Sequence, residues 1–303
     1  MTAYRATAWV VGRAPEAPTR ATIATLTEAS YRLWPTKRRT SDDNFARVLR
    51  TEPDDPAVRR LARQAYRTYA RYLTELMRLP ERPLDEVVAL VEADGVERLA
   101  ETWRESGRGL IVTVPHVGNN EAAAAGLARL GLPIAGVADD TAFPELFDLL
   151  TRQREAWGVR TIPWRNLREI FGVLRRGEIL VLLIDWGYRD DGIPVRLFDR
   201  WTTLPAGPAT LAARTGAPIV PVAVRRTPEG RYRVTFDAPI VPASAGAADL
   251  QRATQAVADA LERAITVAPE QWYSFKPMWP PSGDAEATLE ARARAMLDGA
   301  GTG

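Results

Sequence analysis

The chain of 303 residues contains one histidine, His116, inside the run Val114-Pro115-His116-Val117-Gly118-Asn119-Asn120-Glu121. Imidazole changes charge near neutral pH, so it suits the transfer of a proton to or from a reacting hydroxyl. Glu121, five positions on, falls in the first turn of the helix predicted by the Ala-rich stretch 119–130. From there its carboxylate can reach back to one ring nitrogen of His116. Such a partner fixes the tautomer and raises the basicity of the other nitrogen. The opening amides of the helix can stabilise a developing negative charge nearby. A plainer reading is also open: His116 as a turn residue, and Glu121 as an acid favoured at a helix start by the dipole.

The elements around this run set where it lies. Residues 109–114 (GLIVTV) read as a buried strand, and 132–138 (LPIAGVA) as a second. Helices are expected over 144–157, 166–176, 205–215 and 247–266, the third bounded by Pro205 and Gly216. Residues 178–184 (EILVLLI) make the most apolar strand, expected at the centre. Residues 218–224 and 231–237 read as strands joined by Pro228-Glu229-Gly230. The alternation predicts an α/β fold, a mixed central β-sheet flanked by α-helices. His116 then sits where a buried strand ends and a helix begins, the edge at which open α/β sheets bind ligands.

Ahead of the alternating part lies a helical region. Leu61, Ala65, Tyr69, Leu73 and Leu76 recur at three- and four-residue spacing, which predicts a helix over 56–78 with Pro56 in its first turn. Residues 1–40 carry seven basic and two acidic side chains in a chain whose net charge is +2. Tyr4, Trp9, Val10, Ile23, Leu26, Tyr31, Leu33 and Trp34 lie among them, broken by Pro15 and Pro18. This reads as two short amphipathic helices. They suit either the interface of an anionic membrane or packing on the core as a hairpin. The expected organisation is a helical, membrane-associating region over 1–80, an α/β core over 81–280, and a flexible C-terminal tail over 281–303.

Composition closes off other chemistries. There is no cysteine, which excludes disulfides, thiolate metal sites and cysteine nucleophiles, and a single histidine excludes sites built from several imidazoles. One His with Glu121, Asp139, Asp140 and Asp185 has no specific ligand spacing, so no metal is expected. The near balance of 40 basic and 38 acidic residues argues against nucleic acid as a partner. No apolar run reaches 18 residues, and the first 20 residues lack a long apolar segment. A cytosolic protein, peripheral to a membrane, is the expectation.

PHVGNNE resembles the His-x4-Asp/Glu motif of bacterial lysophospholipid-type acyltransferases. It is most similar to the branch that acylates lipid A precursors and phosphatidylinositol mannosides. Three further blocks agree in order: KRRTSDDNFARVL (37–49), Asp185 followed by GIPVRLFDRWTTLPAGPATLAARTGAPIVPVAVRR (192–226), and APEQWY (268–273). The likeness spans roughly residues 1–280. It implies O-acyl transfer with His116 as general base, Glu121 as its acidic partner and Asp185 facing the same cleft. The chain departs from the family at Asn120, where Trp is usual, at Ala138-Asp139-Asp140, where some members have Arg, and at Trp186, where Arg is usual.

The resemblance implies no cofactor. A glycolipid would be the acceptor, and acyl-CoA or acyl carrier protein the acyl donor. Gly118, Asn119, Asn120, Trp186 and Arg189, with Arg152, Arg154 and Arg165 between the second and the central strand, are the expected substrate contacts. Trp164, Trp201, Trp272 and Trp279 supply apolar area for an acyl groove or for plain core. A thioester hydrolase using His116 to activate water, and a non-catalytic membrane-binding protein, are the competing classes.

Overall fold

The computed structural model describes residues 2–79, 82–141 and 144–299. Four helices lead: α1 (Thr2–Arg13), α2 (Glu16–Leu33), α3 (Pro35–Leu49) and α4 (Pro56–Arg78). Then α5 (Leu84–Ala89), β1 (Val91–Asp94), α6 (Val96–Ser106), β2 (Leu110–Val114), α7 (Asn120–Arg129), β3 (Ile134–Ala138) and α8 (Pro144–Ala156) follow. They are succeeded by β4 (Arg160–Pro163), α9 (Leu167–Arg175), β5 (Ile179–Leu183), β6 (Ile193–Leu197), β7 (Arg200–Leu204) and α10 (Gly207–Thr215). The chain closes with β8 (Ile219–Arg226), β9 (Tyr232–Phe236), α11 (Ala247–Val267) and α12 (Gly283–Asp298).

Seven strands form one sheet in the order β1-β9-β8-β2-β5-β3-β4, and β6 and β7 form a separate antiparallel hairpin. All neighbours in the large sheet are parallel except β8 and β9. The mixed α/β architecture is therefore as expected. Strand β2 is the middle one and is buried throughout, as its unbroken apolar run requires. The sheet separates two cores. One packs β2, β5 and β8 against α3, α4, α9, α10 and α11 through Ile111, Leu180, Ile219, Leu261 and Trp272. The other, with Val112, Val114, Ala122, Val220 and Tyr232, lies against α6 and α7.

Several elements differ from the sequence reading. Residues 2–33 form two helices, but Pro18 does not break the second; it lies in its first turn, where a missing N–H costs nothing. Strands β1 and β4 occupy segments to which the sequence pattern assigns no element, because VEAD and RTIP are too short and too polar to show periodicity. The expected boundary at residues 80 and 81 falls outside the described residues.

The tail is the clearest correction. Residues 283–298, expected within the tail, form the regular helix α12, capped by Ser282, with Leu289 and Ala293 buried. Glu286 fixes it: its carboxylate accepts from Arg200 Nε at 2.8 Å and Nη2 at 2.6 Å, and from the Trp201 amide at 2.9 Å. Among the described residues no helix is long and apolar enough to cross a membrane.

Glu286→Ala should lower the unfolding free energy by about 1–2 kcal/mol in urea denaturation, since it leaves the Trp201 amide and the Arg200 fork without their acceptor. A loosely held C-terminus would give no change.

Candidate active site

Strand register assembles the site. β2 and β5 are parallel, with Val114 opposite Leu183, and the Ile184 amide still bonds the Val114 carbonyl at 3.2 Å. Two residues further along each strand, His116 comes to stand beside Asp185. The His116 ring Nδ1 lies 2.7 Å from Asp185 Oδ1. The His116 backbone amide donates to both carboxylate oxygens, at 3.1 and 2.9 Å, and Trp272 Nε1 donates to Oδ2 at 2.8 Å. The Asp185 side chain is wholly buried. Burial alone would push its carboxyl up. The His116 ring opposite, the His116 N–H groups and the Trp272 indole outweigh burial and hold it below the ordinary carboxylate value.

This fixes the tautomer. An ionised carboxylate only accepts hydrogen bonds, so Nδ1 carries the proton and Nε2 of the neutral ring presents a lone pair. Nε2 has no hydrogen-bond partner among the described residues. The side chain keeps 26% of its surface open. Trp186, half exposed, lies 5.6 Å from the imidazole between ring centroids, and Lys276 Nζ sits 3.7 Å over the Trp186 ring. Such a site can take a proton from a hydroxyl or a water and return it to a leaving group.

The expected contact of Glu121 with His116 is not made. Glu121 lies in the first turn of α7, but both its oxygens face α8, where Arg154 donates Nε at 2.9 Å and Nη2 at 2.5 Å. Burial pulls the Arg154 guanidinium down, and the Glu121 carboxylate beside it more than restores it. Arg154 is thus bound to the motif acid, not free for substrate. Gly118 explains the separation of the two acids. It adopts φ +66°, and a Cβ there would fall 2.2 Å from the Val224 carbonyl oxygen, so only glycine lets the chain turn against β8 before α7 begins.

The other expected contacts scatter. Asn119 is fully buried; it caps α7 by accepting from the Ala122 amide at 3.2 Å and donates to the Tyr232 hydroxyl at 3.2 Å. Asn120 donates to the Pro115 carbonyl at 2.8 Å, and its buried Oδ1 has no partner among the described residues. Arg189 forks onto Asp191 on the surface, Arg165 stacks on Trp164, and Arg152 is exposed on α8. Trp272 and Trp279 are core.

Residues that sequence reasoning passed over hold the histidine loop in place. Gln271 bonds the backbone of Arg226 in both directions, at 2.7 and 3.0 Å, and the Tyr273 amide donates to the His116 carbonyl at 2.8 Å. Glu75 of α4 accepts from Arg226 and from the Tyr232 hydroxyl. Asn44 of α3 holds the following segment by donating to the carbonyls of Ser274 and Lys276 and accepting from the Met278 amide. Tyr72 stacks on Tyr273 at 5.3 Å, beside Glu121 and Arg154. The blocks around Asn44 and Gln271 were visible in the sequence; Glu75 and Tyr72 carried no signal beyond helical spacing.

The family model described as bacterial lipid A biosynthesis acyltransferase matches residues 1–280. The chain belongs to this family. It is an acyltransferase of lipid biosynthesis. It is 30% identical over 258 residues to a phosphatidylinositol mannoside acyltransferase of Mycolicibacterium smegmatis, a match that covers 83% of this chain and 81% of that protein. The protein of the same description from Mycobacterium tuberculosis (strain H37Rv) is 29% identical over 251 residues, covering 78% of this acyltransferase and 75% of its relative.

The depressed Asp185 pKa makes a linkage prediction. The carboxylate stabilises the fold above its ordinary value of 3.8, and that contribution is lost as pH falls through the lower folded value. Asp185→Asn should cost on the order of 3 kcal/mol at neutral pH. It should also flatten the fall in stability below pH about 4, read by urea unfolding followed by tryptophan fluorescence. Equal slopes for variant and wild type would contradict the assignment.

Proposed function

We propose that the protein transfers a fatty acyl chain from a thioester donor, acyl-CoA, to a hydroxyl of a phosphatidylinositol mannoside, with His116 as general base. The observation that carries this reading is the 2.7 Å contact of His116 Nδ1 with the buried Asp185, which leaves the Nε2 lone pair without a partner among the described residues at the carboxyl edge of the sheet. The names of the relatives support the mannoside as acceptor. Asp185 is the orienting acid in place of the expected His116–Glu121 dyad.

The acceptor O–H gives its proton to Nε2 as its oxygen attacks the thioester carbonyl carbon. The tetrahedral oxyanion is held by amides of the turn and the start of α7. The C–S bond then breaks, and the imidazolium returns the proton to the leaving thiolate. Asp185 stabilises the imidazolium while it exists. Glu121 would oppose an oxyanion at the α7 N-terminus if it stood alone. Arg154 cancels that charge, which gives the motif acid a positioning role between α7 and α8.

A cavity of about 260 Å³ lies between β2, β8, β9 and α11, with apolar walls and Arg225, Asp237 and Arg263 at its margin, and His116 itself does not line it. Pro115 and Val117, which flank His116, line it with Thr113, Ile184, Leu261 and Val267. The exposed Trp9, Val10, Leu26, Leu33 and Trp34 of the first helices support peripheral docking at the cytoplasmic face of a membrane.

The test is thiol release from palmitoyl-CoA with and without phosphatidylinositol mannoside. Wild type should release thiol in step with acylation of the glycolipid. His116→Ala should lose a factor of about 10²–10⁴ with its circular dichroism unchanged. Glu121→Gln should lower turnover by a smaller factor, about tenfold, by loosening Arg154. Release that needs no glycolipid would make the protein a hydrolase. Release only with acyl carrier protein thioester would keep the transferase and change the donor.

A further inference from the structure

Two concave spaces lie side by side where α2, α3 and the first half of α4 meet, of about 590 and 530 Å³. Arg32, Arg60 and Arg63 line both, and Arg38, Arg39 and Arg59 line the larger. The two facing carboxylates are already engaged. Glu28 accepts from Arg32 at 2.6 Å and Arg67 at 2.7 Å, and Asp42 accepts the Tyr31 hydroxyl at 2.7 Å. Arg38, Arg39, Arg59, Arg60 and Arg63 make no ion pair with a described residue.

Five guanidinium groups from two helices share this space; Glu28, Asp42 and Asp43 offset part of their mutual repulsion, and a concave wall focuses the positive field that remains. Simple solvation of two helix faces would not need them to share one hollow. The helices themselves are fixed beneath it by the Tyr31–Asp42 bond and by Ser41 against Tyr66 at 3.2 Å, so the arginines are presented rather than loosely displayed. Guanidinium forks match phosphate oxygens two at a time. The larger hollow's volume of about 590 Å³ accommodates a headgroup or a nucleotide. At the same corner Leu33 and Trp34 are 81% and 59% exposed. Those side chains would enter an interface if the hollow held a lipid headgroup.

We propose that this arginine-lined trough is a binding site for a phosphate-bearing ligand. Two sources share that chemistry: the headgroup of an anionic phospholipid, and the 3′-phosphoadenosine diphosphate end of a CoA thioester. The trough is separate from the histidine site, since Arg60 and Tyr72 are about 18 Å apart along α4. It does not rest on acyl transfer, because binding is measured without turnover, and its failure would leave the His116 reading standing.

The test uses the full chain and the double variant Arg39→Gln/Arg60→Gln, whose two side chains make no hydrogen bond with a described residue. Adenosine 3′,5′-bisphosphate and inositol 1-phosphate are titrated calorimetrically. Vesicles of phosphatidylcholine with and without phosphatidylinositol are co-sedimented at low and high salt. At least one probe should bind wild type in a salt-sensitive way and bind the variant about tenfold more weakly or worse. Preference for the nucleotide assigns the donor; preference for the inositol phosphate and its vesicles assigns the lipid. No binding of any probe at low salt, or equal binding to both proteins, overturns the proposal.

Discussion

A buried carboxylate without a guanidinium partner is the constraint around which this structure is arranged. Taking Asp185 out of water is expensive unless nearly every lone pair finds a donor. The donors are the His116 amide, the His116 ring and the Trp272 indole. They come from two separate stretches of chain, the end of β2 and the segment after α11. Two parallel strands must therefore end in register, and the segment after α11 must be held against them. That accounts for Gln271 clamped on β8, Tyr273 bonded to the His116 carbonyl, and Asn44 holding the backbone from Ser274 to Met278. The N-terminal helices are thus tied to the site through the backbone segment that carries Trp272.

The two acids near the histidine have opposite environments. Among the described residues Asp185 pairs with no cation but the imidazole, so any positive charge formed on that ring is stabilised where it arises. Glu121 faces Arg154 with both oxygens, so the pair is locally neutral at a helix start whose dipole is needed for an oxyanion. Gly118 keeps the acids apart by letting the chain pass the Val224 carbonyl at a distance no side chain tolerates.

Much of the fold was legible because it rests on local pattern. The helix over 56–78 follows from apolar spacing, and β2 and β5 from unbroken apolar runs. Elements that rest on tertiary contact were not. β1 and β4 are short and polar, and α12 is held by Glu286 on β7, by Arg292 on the carbonyls of Asp190 and Gly192, and by the burial of Leu289 and Ala293. At the site, His116 was evident as the sole imidazole. The error concerned its partner, because a five-residue spacing within a loop is visible in a sequence. A strand register joining residues 69 apart is not. The resemblance placed Asp185 in the cleft, and only the pairing of Val114 with Leu183 brings it to the ring.

The most direct measurement follows from there being one histidine. In a ¹⁵N-histidine-labelled sample, two-bond ¹H–¹⁵N spectra recorded across the pH range report a single imidazole. The account predicts that the neutral ring is protonated at Nδ1, with Nε2 showing the shift of an unprotonated nitrogen, and that Asp185→Asn abolishes this preference. A neutral ring protonated at Nε2 in the wild type, or a tautomer indifferent to Asp185→Asn, would contradict it.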